Sequence, residues 1–365
     1  MITDAIAAGG TSIWLDDLSR AKLTDTGPQG LPLRIARNGV VGVTTNPSIF
    51  NSAISRGSEY SSAIALMRGQ NADDVVQKLT TDDVRSACDL FEQIYIKSNG
   101  IDGRVSIEVD PRSARNTDAT ISEGKALWKI VARPNAMIKV PATVEGLPAI
   151  TELIARGISV NATLVFSVER YLQVFDAFVQ GLENRLALGE SISEVTSVAS
   201  FFVSRIDSAV DSQLKADGSS PALALLGKAA IANAALAYEA FEEASRSPRW
   251  IALERKGARI QRPLWASTGV KDPAYDDTRY VMQLIAPHTV NTMPQATLDA
   301  VLDHGAIGIG TLSDTYQESR QIFTALEALG ISMKKITSDL EVDGVKKFAD
   351  SWVELLSAVG KVITS

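Results

Sequence analysis

Eight short apolar runs lie near residues 12–17, 39–46, 104–110, 136–142, 159–166, 198–205, 262–268 and 289–293, and helical periodicity fills the gaps between them. Strands that alternate with helices pair in parallel and bury both faces of their sheet. Eight alternations in 365 residues, with no repeat of fixed period, no low-complexity tract and no dividing linker, predict a (β/α)8 TIM barrel as a single domain over 1–365. A doubly wound open sheet is the alternative. It would want a Gly-rich phosphate loop after its first strand, and Asp16-Asp17-Leu18-Ser19 is not one.

The helical patterns are marked by their ends. Asn46 followed by Pro47 reads as an N-cap with proline at the first helical position. Residues 117–132, 145–156 and 167–188 carry apolar residues at three- and four-residue spacing, and Gly157 closes the second of them. A helical insert is expected over about 51–102, broken at Gly57 and at Gly69-Gln70-Asn71. A further long helix is expected over 222–245, and C-terminal helices over about 311–365.

Side chains alternate between the faces of a strand, so each run divides into two sets. Ile13 and Leu15, Val41 and Val43, Val105, Ile107 and Val109, Ile138 and Val140, Val160, Ala162 and Leu164, and Phe201 and Val203 form apolar sets suited to lie under helices. The opposite sets therefore point into the barrel. They carry Asp16, Thr44 with Asn46, Glu108, Lys139, Asn161 with Thr163, and Ser200 with Phe202, late in their strands. Barrel interiors are normally filled by branched apolar side chains, and barrel enzymes carry their sites at the strands' C-terminal ends. Each polar residue has an ordinary explanation by itself: Asn46 as a cap, Asp16 in a turn, Glu108 paired with Arg104 or Arg112, Lys139 with its head in solvent. Six on six successive strands point instead to a site.

Chemistry assigns roles within it. Burial favours the neutral form of a lysine, and a neutral amine attacks carbonyl carbon, so Lys139 is the candidate Schiff-base residue. Glu108 would move protons through a water as an imine forms and hydrolyses, and Asp16 would take a substrate hydroxyl proton as a carbon–carbon bond breaks. Asn46, Asn161 and Ser200 would hold sugar hydroxyls, with Thr44 beside them, and Thr163 would place a water. Arg205, after the sixth strand, and Lys271 with Ser267, after the seventh, are phosphate anchors unless they are solvated loop cations.

Composition removes other chemistries. Cys88 is the only cysteine, which excludes an internal disulfide and a multi-cysteine metal site and suits a reducing cytoplasm; its context reads as helix core. His288 and His304 are the only histidines, too few for His-rich zinc sites or most Ser–His–Asp schemes, and Pro287-His288-Thr289 looks like a loop entering a strand. A net charge of −7 disfavours nucleic acid or an anionic membrane as the main partner, but leaves room for a small anionic substrate. The start, MITDAIAAGG, lacks the features of a secretion signal, and residues 221–238 include Lys228 and Asn233 and read as a buried helix. A soluble intracellular chain is expected.

Several segments together carry a resemblance. Gly42-Val43-Thr44-Thr45-Asn46-Pro47-Ser48, Ser106-Ile107-Glu108-Val109-Asp110, Ile138-Lys139-Val140-Pro141-Ala142-Thr143, Ser159-Val160-Asn161-Ala162-Thr163-Leu164 and Ser200-Phe201-Phe202-Val203-Ser204-Arg205 occur in an order that resembles the transaldolases, class I aldolases with a Schiff-base lysine on the fourth strand. The long helical stretch and Trp265-Ala266-Ser267-Thr268-Gly269-Val270-Lys271 resemble the longer bacterial subfamily. The resemblance implies transfer of a dihydroxyacetone unit from sedoheptulose 7-phosphate to glyceraldehyde 3-phosphate, giving erythrose 4-phosphate and fructose 6-phosphate, within the pentose phosphate pathway. It implies catalysis by Asp16, Glu108 and Lys139, a site lined by Asn46, Asn161, Thr163, Ser200 and Phe202, and phosphate on Arg205. No metal or organic cofactor is implied. One departure is Lys271, which stands where some members carry a second phosphate-binding arginine; a point charge on a flexible stem does not reproduce that fork. The competing readings are a fructose 6-phosphate aldolase with the same lysine and a non-catalytic sugar-phosphate-binding barrel. A homo-oligomer is compatible with the sequence.

Overall fold

The computed structural model describes residues 1–308 and 311–364. They form a closed barrel of eight parallel strands in sequence order: β1 (Thr11–Asp16), β2 (Val40–Thr44), β3 (Arg104–Glu108), β4 (Ala136–Pro141), β5 (Val160–Val165), β6 (Ser197–Phe202), β7 (Arg262–Ala266) and β8 (Thr289–Met293). β8 returns to pair with β1, so no strand edge is left open. The expected fold class holds, with every strand within a few residues of its anticipated place.

Helix starts follow the capping chemistry. Asn46 Oδ1 accepts from Ile49 N at 3.0 Å and starts Pro47–Arg56. Asn116 and Ser167 do the same for Thr117–Val131 and Val168–Ala187. Gly57 ends Pro47–Arg56, Ser61–Ala65 follows, and the insert's long helix Ala72–Lys97 is begun by Asn71. Cys88 lies in that long helix and is 1% exposed. Burial pushes its thiol up to about 12.

The helix expected over 222–245 is interrupted. Ser220–Leu223 is followed by a turn and then by Ala229–Ser245. Gly227 takes a left-handed φ of +69° in the turn and donates its amide to Asp211 Oδ1 at 2.9 Å. C-terminal to the barrel come Tyr316–Ala328 and the 32-residue helix Met333–Thr364; Gly310 and Ser365, at the edges of the expected C-terminal helices, lie outside the described residues. The Met333–Thr364 helix packs on Pro47–Arg56, Ala72–Lys97 and Ser204–Asp217, which carries it across one mouth of the barrel.

Inside, the floor is closed by Arg262. Its guanidinium reaches Asp102 Oδ1 at 3.0 Å and Ser12 Oγ at 2.9 Å and lies over the Trp14 ring. A Cβ at Gly42 would meet the Trp14 indole at about 2.6 Å, so that position admits only glycine. The pairing register shifts in two places, between Ile13 and Trp14 on β1 and after Ala162 on β5, and the second of these breaks the alternation. That shift bulges β5, and Leu164 takes a φ of +62°, turning its side chain up toward the C-terminal helix instead of out toward the helical layer.

Candidate active site

Lys139 stands on β4, in register with Glu108 on β3 and Asn161 on β5. Its flanking residues Ile138 and Val140 are fully buried, which holds the Lys139 side chain on the barrel's inner face. The residue is 4% exposed, so its head does not escape into solvent. The Nζ atom donates to Thr45 O at 3.0 Å, lies 3.5 Å from Glu108 Oε2, and sits 5.7 Å from the centre of the Phe348 ring.

Glu108 is 6% exposed and neither carboxylate oxygen accepts a well-formed hydrogen bond from the described residues. The ordinary pairing expected for it does not occur. Arg104 donates to the carbonyls of Gly100 and Pro134, and Arg112 pairs with Asp110 and Asp73. Burial drives the Glu108 carboxyl up to about 7, against the pull of Lys139. Around neutrality it can therefore hold or release a proton beside the amine. Asp16, at the end of β1, accepts from Thr44 Oγ1 at 2.7 Å. Burial raises its carboxyl as well, with Lys139 and Thr44 opposing.

Lys139 and Asp16 open onto one cleft of about 160 Å³ at the C-terminal mouth. Asp16, Thr44, Asn46, Lys139, Ser200, Phe202, Arg205, Ser267 and Lys271 line it, as the sequence anticipates. Arg205, in the first turn of Ser204–Asp217, lies over the Phe202 ring at 5.1 Å, and its buried Nη1 has no hydrogen-bond partner among the described residues. Ser267 has a left-handed φ of +56° and shares a hydrogen bond with Ser204 at 3.0 Å, so a strained backbone position carries one wall.

Three anticipated residues sit away from the cleft surface. Asn161 is fully buried, donating to Ser106 Oγ at 3.0 Å and accepting from Ser200 Oγ at 2.7 Å, which places it beneath the site as a brace for Ser200. Thr163 is fully buried on the bulged strand, and its Oγ1 has no hydrogen-bond partner among the described residues. Glu108 faces a second, smaller cavity on its other side. Conversely, Ser48, Thr292, Pro294 and Phe348 line the cleft without having been singled out. Thr292 had a signal: it alternates with Met293 on β8 and pairs in register with the inward Trp14. Phe348 had none, because a phenylalanine in a long amphipathic helix reads as core.

A buried amine beside a proton-holding carboxyl, a second acid, hydroxyl-rich walls and one free guanidinium suit covalent chemistry on a polar, anionic carbonyl compound. No group of His, Cys, Asp or Glu side chains among the described residues is arranged to hold a metal ion. No described helix is long and apolar enough to cross a membrane.

Residues 13–359 match the family model described as Transaldolase/Fructose-6-phosphate aldolase. The chain is 54% identical over 356 residues to a transaldolase of Mycolicibacterium smegmatis, covering 97% of this chain and 95% of that one. It is 52% identical over 365 residues to one from Renibacterium salmoninarum, covering 100% and 97%. A transaldolase of Thermobifida fusca is 51% identical over 362 residues, covering 99% and 98%.

Proposed function

We infer the reaction from family and geometry together: the chain belongs to the transaldolase/fructose-6-phosphate aldolase family, and it is an enzyme of the transaldolase type. The donor is sedoheptulose 7-phosphate and the acceptor glyceraldehyde 3-phosphate, and a dihydroxyacetone unit passes between them on Lys139. No metal or organic cofactor takes part, and the setting is the cytoplasm. The observation that carries this reading is the Lys139 amine, 4% exposed and 3.5 Å from Glu108 Oε2, in one cleft with the Arg205 guanidinium.

Each residue then has a task. Lys139 Nζ attacks the donor ketone, and its bond to Thr45 O aims it into the cleft. Glu108 gives its proton to the departing hydroxyl of the carbinolamine, which leaves as water, and takes a proton back when the imine is hydrolysed. Asp16 removes the hydroxyl proton as the donor's carbon–carbon bond breaks, and returns it to the acceptor's aldehyde oxygen when the new bond forms. Asn46, Thr44 and Ser200 hold hydroxyls, with Asn161 fixing Ser200. Thr163 holds the water used in hydrolysis. Phosphate rests on Arg205, stacked on Phe202, with Lys271 and Ser267 at the rim.

Borohydride reduction with fructose 6-phosphate tests the covalent step. One adduct on Lys139, read by intact-protein and peptide mass, is expected; unmodified protein would return the chain to a sugar-phosphate-binding role. Withholding the aldose acceptor separates transfer from simple aldol cleavage. Free dihydroxyacetone released at a rate near that of full transfer would favour the aldolase.

A further inference from the structure

We propose that a chamber behind Glu108, ending at Glu123, is the path along which Glu108 exchanges its proton with solvent. The proposal rests on the Schiff-base reading above, because only that chemistry asks Glu108 to lose and regain a proton.

Glu108 meets Lys139, which lines the cleft, on one side, and a cavity of about 60 Å³ on the other. At about 30 Å³ per molecule, that space accommodates two waters, provided polar atoms line it. They do. The buried Trp352 Nε1 lacks a hydrogen-bond partner among the described residues, as do both oxygens of Glu108, and all three belong to the chamber wall. Its other end holds Glu123, half-buried on Thr117–Val131, with Gln77, Asp110 and Asp73. Arg112 binds both of those aspartates. Burial pushes Glu123 up to about 7, opposed by the backbone N–H of Asp110 and by Arg112, while the charges of Asp110 and Asp73 add to the rise. Glu123 thus matches Glu108, also at about 7, so a proton moves between them without a large uphill step.

The balance is simple. Glu108 protonates the carbinolamine hydroxyl, the C–O bond breaks, water leaves and a protonated imine forms. The Glu108 carboxylate then regains a proton through chamber water from Glu123, and Glu123 regains one from bulk. Before hydrolysis the same path runs in reverse, Glu108 passing its proton through Glu123 to bulk, so that its carboxylate can take one from the attacking water. Glu123 acts through Glu108 and is a positioning and relay residue.

Glu123→Gln keeps the shape and removes the exchangeable proton. The expected result is a kcat lowered about tenfold with donor KM within twofold, recovered in part by raising the concentration of a small imidazole buffer. Glu123→Asp, which restores a carboxyl one methylene shorter, should return kcat to within about threefold of the parent. An unchanged kcat in Glu123→Gln overturns the relay. So does equal impairment in Glu123→Gln and Glu123→Asp without buffer rescue, because that pattern marks a structural role. The borohydride adduct on Lys139 is measured in every variant. Its absence from the parent protein removes the Schiff-base reading; its presence alongside an unaffected Glu123→Gln removes the relay alone.

Discussion

At the floor of the barrel, Arg262 meets Asp102 at 3.0 Å, Asp102 also accepts from Ser12 Oγ at 2.9 Å, and Arg104 spends its donors on the carbonyls of Gly100 and Pro134. At the mouth, Lys139 meets Glu108 at 3.5 Å, and the Glu108 oxygens, Thr163 Oγ1 and Arg205 Nη1 are left without hydrogen-bond partners among the described residues. Both ends bury charge, and charge is costly to bury in either place. The floor recovers that cost within the fold, whereas the mouth keeps its polar atoms free for something that arrives later. Burial of charge by itself marks neither stability nor function; what separates the two ends is that Arg262 and Asp102 satisfy one another, while Glu108 and Arg205 keep atoms without partners among the described residues.

The sharpest way to break that contrast is Lys139→Ala. Activity should fall at least ~10³-fold and the borohydride adduct should vanish, while the urea midpoint stays near the parent's, because Glu108 can take up a proton once its partner is gone. A large loss of stability would make the mouth as structural as the floor. The reverse experiment is Asp102→Ala, which leaves Arg262, Ser12 and Trp14 without their shared acceptor. Unfolding free energy should drop by about 3 kcal/mol with kcat of the folded fraction within about twofold. A selective loss of kcat would assign chemistry to the wrong end.

Glu108→Gln separates the two ends by pH. Burial lifts the Glu108 carboxyl from 4.5 to about 7, so the folded state holds that proton more tightly than the unfolded chain does. Its contribution to stability is fullest below about pH 4.5, is lost as pH rises to about 7, and is level above that. Glu108→Gln should therefore gain ~3 kcal/mol over the parent at pH 8 relative to pH 4, measured by paired denaturation curves. Identical pH dependence in the two proteins would show that the carboxyl is not held protonated. Arg205→Ala should have the smallest effect, raising KM for phosphorylated donors about tenfold, ~1.4 kcal/mol, and sparing unphosphorylated ones. An equal fall of kcat on both kinds of donor would take phosphate off Arg205.

The barrel was legible because its signal is repeated eight times and each strand is bounded by its own turn. The inward polar set was legible for the same reason: Asp16, Glu108 and Lys139 each break a rule about barrel interiors, and their strands bring them together. What stayed hidden depended on non-local placement. Phe348 and Trp352 lie on an ordinary amphipathic helix, and only its path across the mouth puts one beside Lys139 and the other behind Glu108. Glu123 looks like a solvent-facing helix residue until the loop after β3 folds over it. The interruption at residues 224–228 depends on Asp211, which reaches back to Gly227 from another helix. Leu164 departs from its face because of a bulge that no alternation rule foresees.

Cys88 has a practical consequence. It is the one thiol of the chain, and it lies sealed beneath the long insert helix with its proton held up to about 12. A disulfide reagent at neutral pH meets no thiolate on the folded molecule, so colour develops only as molecules open. The protein carries its own clock for opening, and the rate at which that clock runs ranks every variant above without a denaturant.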